Sequence, residues 1–150
     1  MLIPMHYCGK GQKPEDEYTP QAATQGSAAV DLKACLEKGG LVIAPHETVK
    51  IPTGLKMAIP QGYAGFLYAR SGLATKHGVA PANCVGVIDS DYRGEVIVAL
   101  HNRSDKHYFV EDGLRIAQLV VSPVVAVTAA LVPASDETAR GESGFSSTGT

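Results

Sequence analysis

The sequence predicts an all-β sandwich or barrel interrupted by one short helix. Its apolar residues come in short, β-branched runs, and 16 glycines and 9 prolines cut those runs apart. Only one stretch carries helix start and stop signals. Short apolar runs bounded by turn residues at close spacing are what antiparallel β architectures need. At 150 residues the chain reads as one domain, large enough to bury roughly 68–70% of its unfolded surface around a single core.

Taken in order, residues 1–6 show no basic stretch leading into an apolar one, so no targeting leader is expected. Residues 9–25 are polar and contain Pro14 and Pro20, which predicts an exposed loop. Residues 28–32 place Asp31 inside an apolar segment, where it holds an arginine or the water around a metal; a satisfied ion pair is the more frequent case. Residues 41–44, 54–59, 63–68, 96–100 and 116–121 read as strands. Ser71 can cap a short helix that Gly78 ends. Residues 124–131 form the longest apolar run, and its valines favour strand over helix.

The charge balance, 13 Lys and Arg against 15 Asp and Glu, argues against nucleic-acid tracking. No apolar run approaches the roughly 20 residues that span a bilayer, so a soluble, cytoplasmic protein without membrane contact is expected. Cys8, Cys35 and Cys84 form no C-x-x-C pair and read as buried free thiols in a reducing compartment. His6, His46, His77, His101 and His107 lack metal-ligand spacing and read as surface or packing residues.

The most informative segment is Gly86-Val87-Ile88-Asp89-Ser90-Asp91-Tyr92-Arg93-Gly94-Glu95. If it stayed extended, Asp89 and Asp91 would share a face and repel. Either the chain reverses here or a site that needs charge sits here. Arg70-Ser71-Gly72, at the entry to the helix, suits phosphate through backbone donors and the helix dipole, or is plain capping. Gln118, in an apolar strand with Arg115 at its start, needs a partner, whether a structural hydrogen bond or a ligand. Residues 140–150 are rich in glycine and hydroxyls. Their backbone can form an anion nest; Ser146, Ser147 and Thr148 offer donors, Arg140 a fork for phosphate and Phe145 a face to stack on a base. A frayed terminus is the alternative.

The order and joint presence of these segments decide between readings. Residues 28–34, 69–74, 86–94 and 115–119, followed by the tail from Arg140, resemble the five-motif pattern of trimeric dUTPases over nearly everything from Gly26 to Gly149. The resemblance implies a jelly-roll-like β-sandwich of residues 1–133 and a flexible C-terminal arm of residues 134–150, assembled as a homotrimer whose sites draw on all three chains. It implies hydrolysis of dUTP to dUMP and pyrophosphate with Mg²⁺ on the triphosphate, which keeps uracil out of DNA and supplies dUMP. In that pattern Asp89 would activate the water that attacks the α-phosphate. Tyr92 would lie under the deoxyribose and exclude a 2′-hydroxyl, and Asn83 with the hairpin through Gly86 would read uracil. Arg70, Ser71, Gly72 and Gln118 would serve the phosphates, and Asp31 would hold the metal's water shell. Arg140 would clamp the γ-phosphate and Phe145 would cap the uracil, with Ser147 and Thr148 also meeting substrate. The implied partners are dUTP and further copies of the chain.

Two positions depart from the family's usual tail: Ser143 and Ser146 stand where glycines are common. Each costs about 1–2 kcal/mol if its backbone needs a positive φ. A dCTP deaminase shares the implied fold but usually has a second serine where Gly72 stands, and Gly72 with residues 89–92 argues against it. A nucleotide-binding regulatory protein would use the same pocket, with residues 9–18 as its contact region.

Overall fold

Alternation along the longer strands builds two sheets that share one core. The structure, a computed structural model, describes residues 1–9, 15–37, 39–132, 138–139 and 141. One antiparallel sheet has the order β1 (Met5–Tyr7), β4 (Thr48–Met57), β8 (Glu95–Asn102), β6 (Val79–Pro81). The other has the order β2 (Val30–Lys33), β10 (Arg115–Pro123), β5 (Tyr63–Tyr68), β7 (Gly86–Ile88). A small pair, β3 (Leu41–Ile43) with β9 (Tyr108–Val110), lies beside them. In β8, Val96, Val98 and Leu100 point inward while Ile97 faces out, the period of a half-buried strand. These residues pack with Ile51 and Leu55 of β4 and with Leu32, Leu67, Ile116 and Leu119 of the second sheet in a single apolar cluster. The predicted sandwich is observed.

The buried row of β8 ends in a polar residue, Asn102, which is fully enclosed. Its amide nitrogen donates to the carbonyls of Ile43, Ala44 and Lys106, and its oxygen accepts from the Ser104 backbone N–H and hydroxyl. One side chain thereby ties β3, β8 and the 103–107 turn together, with its polar atoms satisfied.

The predicted helix is α2 (Ser71–His77), closed by Gly78 in the left-handed conformation. Ser71 is its first residue rather than its cap. Arg70 holds the cap position in extended backbone (φ −81°, ψ 128°), and no side chain caps the first turn. Four further expectations need correction. The polar segment of residues 9–25 contains a helical turn, α1 (Glu15–Tyr18), and Tyr18 is buried. The Tyr18 ring meets Tyr7 at 5.6 Å and its hydroxyl donates to Asp112 at 2.9 Å, so an isolated aromatic docks a stretch without apolar period. Residues 124–131 are not a strand: β10 ends at Pro123 because its partner β5 begins opposite, at Tyr63. Beyond it Val125, Val127 and Leu131 are 87%, 86% and 106% exposed. The segment from Asn83 to Gly86 is a crossover rather than a hairpin, since β6 pairs with β8 and β7 with β5. The cysteines are free, but only Cys35 is buried; Cys84 is exposed at the tip of that crossover, with φ 59°.

Replacing Asn102 by alanine strands several buried partners at once. A loss of about 2–4 kcal/mol is expected, read as a lower urea midpoint at unchanged slope.

Candidate functional site

The site residues named from the sequence fall into two groups, one reaching from the β2 edge of the second sheet and the other around β7 at its opposite edge. The first group is built on one rung. Asp31 of β2 pairs with Gln118 of β10, and Gln118 pairs on its other side with Tyr68, the last residue of β5. Two residues further on, Arg70 folds back over the rung. Its Nε donates to one Asp31 oxygen at 2.9 Å and its Nη1 to the Arg115 carbonyl at 3.2 Å, while Arg115 Nη1 donates to the other Asp31 oxygen at 3.4 Å. The Asp31 and Arg70 side chains are 18% and 24% exposed, against 57% for Arg115, so the first pair is the better shielded from water. Two guanidiniums share one carboxylate, which leaves this end net positive. Ser71 and Gly72 stand exposed in the uncapped first turn of α2 beside it, adding backbone N–H groups. Gln118 is half-buried, on the same rung.

The second group surrounds the end of β7. Asp89 follows the Gly65–Ile88 pair, and the chain then reverses, with the Tyr92 N–H donating to the Asp89 carbonyl at 3.2 Å. This turn removes the conflict between Asp89 and Asp91, whose side chains are both exposed. Arg93, assigned no task from the sequence, staples the turn: its Nη1 donates to the carbonyls of Ser90 and Tyr92 at 2.7 and 2.9 Å. Tyr92 bends back so that its ring lies on Gly94, where an added Cβ would come within 2.6 Å of the ring's Cζ. Its hydroxyl donates to the Glu95 carbonyl at 2.9 Å. Asn83, Gly86, Asp89 and Tyr92 line one hollow of about 200 Å³, together with Leu67 and Glu95. Glu95, too, carried no signal beyond its place after the turn.

Asp89 and Asp31 are far apart within one protomer. Asp89 lies four residues along β5 from the Tyr68 rung, about 13 Å, and three strand spacings from β2, about 14 Å; the diagonal is on the order of 20 Å. Arg140, Phe145, Ser147 and Thr148, with Ser143 and Ser146, lie outside the described residues. Among the described residues, no group of three His, Cys, Asp or Glu side chains is arranged to hold a metal ion. None of the helices formed by those residues is long and apolar enough to cross a membrane. The histidines make local contacts: His77 stacks on Tyr108 at 5.1 Å, and His46 meets Asp105 at 2.9 Å. Burial first, and Glu95 second, raise the Cys8 thiol above its ordinary value, so it stays protonated and a poor nucleophile near neutral pH.

One hollow thus holds an amide, a carboxylate and a phenol, and a cationic cradle lies on the rung that joins β2, β10 and β5. Comparison with known proteins specifies the class. A model of the dUTPase family matches residues 16–149. The deoxyuridine 5'-triphosphate nucleotidohydrolase of Desulfitobacterium hafniense is 49% identical over 148 residues, covering 98% of this chain and 95% of the relative. That of Idiomarina loihiensis is 50% identical over 131 residues, covering 87% and 86%. Among solved structures, a dUTPase of Staphylococcus bacteriophage 80alpha has the same fold at 24% identity, with a TM-score of 0.85 and 99% of each chain covered. The chain belongs to the dUTPase family.

The unequal shielding of the two ion pairs can be tested. Asp31→Asn leaves two guanidiniums facing a neutral group and is expected to cost about 2–3 kcal/mol. Arg115→Ala should cost under about 1 kcal/mol. Urea denaturation of both variants at one salt concentration checks the ranking.

Proposed function

We infer that this chain hydrolyses dUTP to dUMP and pyrophosphate. The observation that carries the reading is the convergence of Asn83, Gly86, Asp89 and Tyr92 on one hollow, in a member of a family whose relatives bear that activity in their names. Asn83 and the backbone near Gly86 offer donors and acceptors to the edge of uracil. The Tyr92 ring forms a wall against the sugar, where a 2′-hydroxyl would collide. Asp89 takes a proton from water as the water oxygen bonds to the α-phosphorus; the bond from that phosphorus to the α,β-bridging oxygen breaks, and pyrophosphate leaves with the electron pair. Arg70, Ser71, Gly72 and Gln118 hold the phosphates and stabilise the charge that builds on them.

Mg²⁺, a hard cation suited to phosphate oxygens, would fit this scheme as a companion of the substrate, and Asp31 would help hold it through water. When bound it supplies charge neutralisation and fixes the triphosphate's conformation. Asp31 can take part because each of its oxygens accepts a single arginine N–H and retains acceptor capacity.

A separation on the order of 20 Å between Asp89 and Asp31 cannot be closed around one α-phosphate by one protomer. We therefore place each site between copies of the chain, in a homotrimer, with Asp89 and Tyr92 from one copy and Arg70 and Gln118 from another. The exposed apolar segment of residues 124–132 supplies surface for such an assembly. The arm of residues 134–150 would close the site, Arg140 on the γ-phosphate and Phe145 over uracil, with Ser147 and Thr148 donating hydroxyls.

With Mg²⁺, pyrophosphate release from dUTP should far exceed that from dTTP, dCTP or UTP; comparable rates would sink the assignment. Asp89→Asn should lower turnover by about 10²–10⁴-fold while nucleotide still binds. Sharing of sites has its own test. Asp89→Asn and Arg70→Ala chains, each inactive alone, are denatured, mixed in equal amounts and refolded together. Random assembly of a shared site restores about one site in four; a site contained in one chain restores none.

A further inference from the structure

Glu95 stands between two hollows and uses its backbone in one and its side chain in the other. Its carbonyl accepts the Tyr92 hydroxyl at 2.9 Å in the nucleoside hollow. Its carboxylate turns into a neighbouring cavity of about 270 Å³, lined also by Cys8, Cys35 and Pro52. There one carboxylate oxygen accepts the backbone N–H of Gly54 at 2.7 Å.

That N–H is available for a definite reason. Strand β4 slips register against β8 between Pro52 and Lys56, and Gly54 sits in the slip with φ 70°. A side chain there would press within 2.9 Å of Cys35 Sγ and the Tyr7 ring. A bulge leaves ladder groups unpaired, and a buried amide so freed needs an acceptor from outside the ladder. Glu95 provides a charged one, at the first residue of β8. A half-buried carboxylate at the head of an apolar strand is costly unless it is held. Here it is held, and the same bond holds the strand's first carbonyl in place.

We propose that Glu95 is a positioning residue for sugar selection. Its carboxylate, anchored on the Gly54 bulge, fixes the carbonyl to which the Tyr92 phenol is tied, and so keeps the tyrosine wall where it excludes a 2′-hydroxyl. The proposal rests on the reading of Tyr92 as that wall. Glu95 does not touch the reacting atoms; it acts through Tyr92.

The test compares kcat and KM for dUTP and UTP. Glu95→Ala should reduce the preference for dUTP in kcat/KM by at least about tenfold. The change should come from a raised KM for dUTP and improved use of UTP, with kcat for dUTP within about threefold of the unmodified chain. Glu95→Gln keeps an acceptor oxygen at the same reach and should keep the preference. In a Tyr92→Phe background, which lacks the phenol's tie, Glu95→Ala should add nothing. Glu95→Asp, one methylene too short to span to Gly54, should behave as Glu95→Ala and serves if the alanine variant does not fold. Unchanged preference in both shortened variants overturns the proposal, as does a full additional loss in the Tyr92→Phe background. An unmodified chain that hydrolyses dUTP and UTP equally overturns the reading of Tyr92 and the proposal with it. Discrimination in the unmodified chain that survives Glu95→Ala and Glu95→Asp overturns the proposal alone.

Discussion

The carboxylate of Asp31 is the point on which the cationic end of the molecule depends. It sits on β2, its rung continues through Gln118 of β10 to Tyr68 of β5, and its oxygens accept from Arg70 and Arg115. A guanidinium at a strand-to-helix junction has many rotamers and a large entropy to lose. Tying Arg70 to a neighbouring strand removes that freedom during folding rather than during binding, the usual logic of a preorganised charge. The same tie keeps Arg70 extended at the start of α2, and the first helical turn then faces outward without a side-chain cap. Sheet register and the placement of this positive charge are here one constraint.

The opposite edge of the sheet is organised differently. Among the described residues no ion pair holds Asp89, and backbone hydrogen bonds shape the turn around it. The Tyr92 N–H returns to the Asp89 carbonyl, and Arg93 spends its guanidinium on two carbonyls of the same turn. The Asp89 side chain is left exposed to solvent, whereas that of Asp31 is largely covered. The two acids differ in their partners: each Asp31 oxygen accepts from a guanidinium, whereas no ion pair among the described residues involves Asp89.

Much of this was legible in the sequence, and the exceptions share a cause. The strands at β3, β5, β8 and β10 showed themselves because short β-branched runs between glycines and prolines have few other uses. The residues of the hollow showed themselves as a motif. Tyr18 did not, since its burial depends on Tyr7 and Asp112, far along the chain. Nor did the end of β10, which is set by where β5 begins, or the crossover after Asn83, which depends on which sheet each flanking strand joins. Glu95 and Asn102 are single polar residues at the two ends of β8. Their partners, the Gly54 bulge and the turn of residues 103–107, become acceptors and donors only once the sheets have formed.

The apolar run that leaves β10 has a consequence for the free protomer. Val125, Val127, Leu131 and Val132 are exposed, and no strand among the described residues pairs with them. Such a segment, rich in β-branched residues and free of charge from Val124 to Val132, is a template for adventitious pairing with any other unpaired strand. A newly made chain therefore carries a solubility hazard until something covers that strip. In the proposed trimer, covering that strip would link apparent stability to protein concentration.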